Sequence, residues 1–160
     1  MKNAPVAAKK LSALLKKIGP SKAPANLPHG DDPIAVLVMS FLMWEATTDK
    51  AIAGYSRLFE QVVDFNDLRV SMPHETAEIL GPRYPRVLDR CQRLRAVLRN
   101  IYLREHAMIL NSLKDTGKRD ARKYIESLEG IVPYVASRVL VLSFDTHAIP
   151  VDYQLRAQLI

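Results

Sequence analysis

Cysteine is nearly missing from this chain: Cys91 is the only one in 160 residues. A single thiol excludes an intramolecular disulfide, a cysteine-ligated iron–sulfur cluster and a multi-cysteine zinc site. Histidines are few and scattered (His29, His74, His106, His147), with no pair at helical ligand spacing, so neither a metal nor another cofactor is expected. Long apolar runs are absent too. The longest, from Ile34 to Met39, falls far short of the ~20 residues that cross a bilayer, so no membrane partner is expected. Met1 to Lys10 lacks the continuous apolar core of a secretory signal, which points to a cytoplasmic protein. No stretch reads as a strand, and there is no internal repeat.

What is present is a globular composition with a basic surplus. Hydrophobic residues make up 48% and charged residues 25%, which suits one domain with a sizeable core. Lys and Arg total 23 against 17 Asp and Glu, giving +6 and a pI near 9.5. Such a balance favours an anionic partner, nucleic acid before membrane.

Periodicity predicts an all-α chain. In KKLSALLKKIG, Leu11, Leu14, Leu15 and Ile18 make an apolar stripe that ends at Gly19-Pro20. The linker PSKAPANLPHG separates residues 1–31, a basic helix and linker, from a helical domain over 32–160. DDPIAVLVMSFLMWEAT opens with an acidic cap and Pro33, and its apolar interior predicts a buried central helix. Thr48 or Asp49 is expected to cap the next helix, and DFNDLRVSMPHETAEILGP to hold one or two short helices broken at Gly81-Pro82. The longest element is expected from about Pro85 to Leu113. Val87, Leu94, Leu98, Ile101 and Tyr102 share its apolar arc, and Arg86, Arg90, Arg93 and Arg104 share another. The linker KDTGKRD then leads to ARKYIESL, a second tight turn and YVASRVLVLSF.

Those last segments resemble a family. ARKYIESL-EGIVP-YVASRVLVLSF looks like the helix-hairpin-helix of the endonuclease III-type DNA glycosylases, whose signature is L-P-G-V-G-x-K-x-A. Leu128, Gly130, Ile131 and Ala136 match it, in a hairpin over about 120–144. Downstream, AIPVDYQLRAQL resembles the segment carrying the family's essential aspartate, 18 residues beyond the lysine position. Here Tyr134 occupies that position and Asp152 lies 18 residues further on. FDTH copies the look of the family's aspartate motif, but Asp145 is only 11 residues from Tyr134, about three helical turns, at the far end of the second helix. More faintly, DPIAVLVMSFLMWEATTD is similar to the family's first core helix and the turn after it, with Glu45 where a glutamine often lies near the extruded base.

The resemblance implies double-stranded DNA as partner and base-excision chemistry. A glycosylase extrudes a nucleotide and breaks its N-glycosidic bond through an oxocarbenium-like transition state. Asp152 would stabilise that cation and direct a water, with Tyr134, Glu45 and Trp44 lining the pocket. Tyr134 has no amine for a Schiff base, so a hydrolytic route without lyase action is implied. Monofunctional members acting on thymine or uracil opposite guanine resemble this chain in carrying tyrosine there. Gly130, Ile131 and Val132 of the hairpin, with Arg86, Arg90 and Arg93, would hold DNA.

The chain also departs from the pattern. Val132 replaces the second hairpin glycine, whose positive φ a β-branched residue adopts at a cost. Pro133 removes an N–H from the helix start that should face a phosphate. Glu129 brings a negative charge toward the same place. The family's Gly-containing wedge loop is not evident before the arginine-rich helix. Bland alternatives stand beside each assignment. The arginine arc, like Lys9, Lys10, Lys16 and Lys17, equally suits a solvated face. Asp152 equally suits a helix cap, Trp44 and Tyr134 suit core packing, and Glu45 suits a solvent-facing helix end. At the level of function the alternatives are a non-catalytic DNA-binding relative and a helical protein-interaction module; the oligomeric state stays open.

Overall fold

The computed structural model describes residues 4–18, 27–28 and 30–158. Gly19-Pro20 and most of the linker lie outside them, as do the side chains of Leu15 and Ile18. Among the described residues there are nine α-helices, one 3-10 turn and no strand, as the periodicity predicts. Helix α1 spans Ala4–Ile18 and leaves Val6, Leu11 and Leu14 exposed. Helix α2, Pro33–Met43, is the hub: Asp32 accepts from the Ile34 N–H at 2.9 Å, Pro33 sits in the first turn, and Pro33 through Leu42 are all buried. It packs against α3 (Thr48–Gln61), α6 (Val87–Glu105) and α8 (Pro133–Phe144). The cap of α3 is Thr47, one residue earlier than expected, whose hydroxyl accepts from the Lys50 N–H.

Two short helices, α4 (Phe65–Val70) and α5 (Pro73–Leu80), cross the outside of α6. Gly81 ends α5 at φ 91°, a backbone state that costs glycine little. Residues 81–86 then connect α5 to the long helix. The long helix is shorter than the sequence suggests. It starts at Val87 and stops at Glu105, because His106 turns left-handed at φ 55° and its N–H closes on the Tyr102 carbonyl. A 3-10 turn, Asn111–Asp115, follows instead of more helix. Helix α7, Lys118–Glu126, begins before Ala121 and takes in part of the expected linker. Helix α9, Tyr153–Gln158, closes the described chain.

The hairpin is α7, the turn over 127–132 and α8. Gly130 has φ 87°, and a Cβ there would lie 3.0 Å from the Arg93 carbonyl and 3.2 Å from Ala96 Cβ. The turn thus presses its backbone onto α6, which only glycine permits. Arg104 clamps the same turn, donating to the Ser127 hydroxyl at 2.8 Å and the Ser127 carbonyl at 2.9 Å. The strain expected at Val132 is not incurred. Val132 is extended (φ −113°, ψ 148°) and buried, a conformation that β-branched residues favour.

Candidate active site

The site begins where α2 ends. The last carbonyls of a helix lack intrahelical donors. Here the Ser40 and Met43 carbonyls accept from the N–H groups of Trp44 and Ala46. The Phe41 and Leu42 carbonyls are taken by Arg90, which reaches them from α6, and Leu42 also accepts from the Tyr84 hydroxyl at 2.8 Å. The same guanidinium donates to the carbonyls of Trp44 and Pro85. Arg90 is 0% exposed. It does not share the open arginine face expected for it; it lies in the core-facing arc with Leu94, Leu98 and Ile101, as a cationic cap on the negative end of α2. Burial lowers its pKa, opposed chiefly by Tyr84.

The chain then turns left-handed at Glu45, φ 53°. In a continuing helix the Glu45 N–H would point at Phe41; freed by the turn, it donates to Asp152 Oδ2 at 3.0 Å. Asp152 directly precedes α9, and its carbonyl accepts from the Arg156 N–H at 2.9 Å. Two segments 107 residues apart thus meet at one carboxylate. Asp152 stands at a helix start while its side chain reaches across to the backbone of the turn after α2.

Tyr134, half-buried in the first turn of α8, reaches the same place. Burial raises its phenol pKa most; Arg138 lowers it through charge and a hydrogen bond, and Asp152 raises it. The phenol therefore lies in the fields of both Arg138 and Asp152. Arg138 also reaches the Ser40 hydroxyl at 3.3 Å, tying α8 to α2. Neither Arg138 nor Ser40 belongs to a recognised motif. The i,i+4 spacing of Tyr134 and Arg138 was the available signal. The Glu45 N–H had none, because a left-handed glutamate leaves no trace in residue type.

The remaining candidates divide. Trp44 is 7% exposed and serves the core, its ring covered by Arg86 at 4.6 Å and Arg90 at 5.6 Å. The Glu45 side chain is 17% exposed, with its carboxylate 3.4 Å from Arg86. Arg86, half-exposed, also pairs with Asp89 at 3.0 Å, and Arg93 pairs with Asp89 at 2.8 Å. Ile131 lines a shallow depression of about 270 Å³ with Pro133 and Ala136. At the start of α8, helix geometry leaves the Tyr134 and Val135 N–H groups without intrahelical acceptors, Pro133 having none to offer. Asp145 caps the other end of α8, 94% exposed and held by Lys118 at 2.7 Å, an ion pair that depresses its pKa. Among the described residues no group of three or more His, Cys, Asp or Glu is placed to hold a metal, and no helix is long and apolar enough to cross a membrane.

No family model and no curated protein matches the sequence. Solved structures do match the fold. A thermostable thymine-DNA glycosylase aligns with TM-score 0.61 and 21% identity over 82% of this chain and 57% of its own. The endonuclease III of a trapped covalent DNA intermediate, an estranged-adenine complex, aligns with TM-score 0.67 and 16% identity over 92% of this chain and 63% of its own. The chain thus spans between half and two-thirds of the length of these structures. With its hairpin, its central α2 and its all-helical build, it has the helix-hairpin-helix fold of the DNA glycosylases.

Proposed function

We propose that this protein is a DNA glycosylase of base-excision repair, hydrolysing the N-glycosidic bond of a damaged or mismatched base in duplex DNA without lyase action. The observation that carries the reading is the anchoring of Asp152 by the Glu45 N–H beside Tyr134. As the base leaves with the bonding electrons, the sugar becomes cationic. Asp152 stabilises that cation and accepts a proton from the water that attacks it. Tyr134, a neutral phenol whose pKa burial raises further, packs against the sugar or base without forming a covalent intermediate. Glu45, its carboxylate balanced by Arg86, lines the pocket wall. The hairpin N–H groups at the start of α8 hold a phosphate.

The test is single-turnover base release from duplexes carrying uracil, thymine opposite guanine, and oxidised or alkylated bases, with alkali cleavage of the abasic product. The expected result is release of one base, lost in Asp152→Asn while duplex binding is kept. The altered hairpin, with Glu129 beside the phosphate seat and Pro133 lacking a donor, favours a second reading, a binding relative without turnover. Binding without release from any duplex, at enzyme excess and low salt, would establish that reading instead.

A further inference from the structure

Beside the hairpin turn, a groove of about 430 Å³ runs along the outer face of α6. Glu129 of the turn lies on one side and Pro73, at the start of α5, on the other, with Gln92, Arg95, Arg99 and Asn100 between them. Four other arginines of this region are engaged: Arg86 and Arg93 with acids, Arg90 with buried carbonyls, Arg104 with Ser127. Arg95 and Arg99 differ from them. Neither makes a hydrogen bond or ion pair among the described residues, and Arg95 Nε is buried with no acceptor. That Nε is covered by the protein itself, so the donors open to a partner are the terminal guanidinium nitrogens of Arg95 and those of the exposed Arg99. The two guanidinium groups are four residues apart, one helical turn, so both open into the same groove.

We infer that this groove is a second seat for the DNA backbone, gripping phosphates of a duplex already held at the hairpin; the inference rests on the proposed glycosylase function. A guanidinium fork matches a phosphate in geometry as well as charge. The groove is continuous with the hairpin, because Gly130 seats the turn on α6 at Arg93 and Ala96. A duplex carries one phosphate per ~3.4 Å of each strand, so one held at the turn presents others beside it. Glu129 stands at the junction and opposes the same anions.

The test is a fluorescence-anisotropy titration of a labelled undamaged duplex between 50 and 200 mM salt, with Arg95→Gln/Arg99→Gln and Glu129→Gln variants. Loss of two phosphate contacts makes the log–log salt slope shallower by about 1.8, so wild type loses about 12-fold more affinity than the double variant across that range. Glu129→Gln binds more tightly than wild type, which loss of structure could not produce. Unchanged slope and affinity in both variants, with wild type binding DNA and releasing base, overturns the groove and leaves the glycosylase reading standing. Wild type that binds no duplex at 50 mM salt overturns both.

Discussion

Replacing Arg90 by methionine keeps much of the side-chain length and removes every donor. The Leu42 carbonyl keeps the Tyr84 hydroxyl, whereas those of Phe41, Trp44 and Pro85 lose the guanidinium, which is the bond described for each. An orphaned buried acceptor costs about 1–3 kcal/mol. Three would sum to more than the variant loses, since methionine escapes the desolvation that lowers the arginine's pKa. Orphaned acceptors less the relieved desolvation leave a net loss of about 3–5 kcal/mol, a large share of a domain's roughly 5–15. For a chain of this size that predicts a Tm lower by about 6–20 °C. Urea unfolding followed by Trp44 fluorescence would read the change as a shifted midpoint at constant slope. A loss below about 1 kcal/mol would refute the reasoning, for it would mean that the carbonyls at the end of α2 find other donors.

Other outcomes follow from the same contacts. Asp152→Asn should slow base release by about 100-fold or more while leaving the melting temperature within a degree or two, read by single-turnover kinetics and calorimetry. Gly130→Ala should cost about 2 kcal/mol or more, from its left-handed φ and the Arg93 carbonyl in the way of the new methyl, measured from the urea midpoint. Burial pushes the Cys91 thiol and the Tyr84 phenol each up to about 12 and raises the Tyr134 phenol. Raised acids contribute stability that is whole below their unfolded values and lost as pH climbs through the folded ones. Melting should therefore hold level to about pH 9 and fall between about pH 10 and 12, with Cys91→Ala delaying the onset.

The helices were legible because their apolar residues recur at helical spacing, and α2 because its residues are apolar all round. Arg90 was misassigned although its position gave it away: it falls on the arc of Leu94 and Leu98, where a charge is unexpected unless it caps something. His106 stops α6 through backbone conformation alone, which residue type does not announce. Gly130 was marked by its motif, but the reason for glycine, contact with α6, needed the tertiary structure. The geometry of the candidate site was half legible. Spacing singled out Asp152 over Asp145, whereas the N–H that orients it belongs to a backbone 107 residues away.

That long-range bond makes the candidate site a matter of occupancy as well as geometry. The segment bearing Asp152 has Ile149, Val151 and Tyr153 exposed, so apolar burial contributes little to its hold on the body. A protein whose competent state is one of two works in proportion to the fraction of time spent in it, and each 1.4 kcal/mol of docking changes that ratio tenfold. On the proposed function, changes to this segment would then scale base release without touching the core or its melting temperature. On the proposed glycosylase reading, proteolysis near Ile149 would part Asp152 from the Glu45 N–H and leave a body that binds duplex without releasing base.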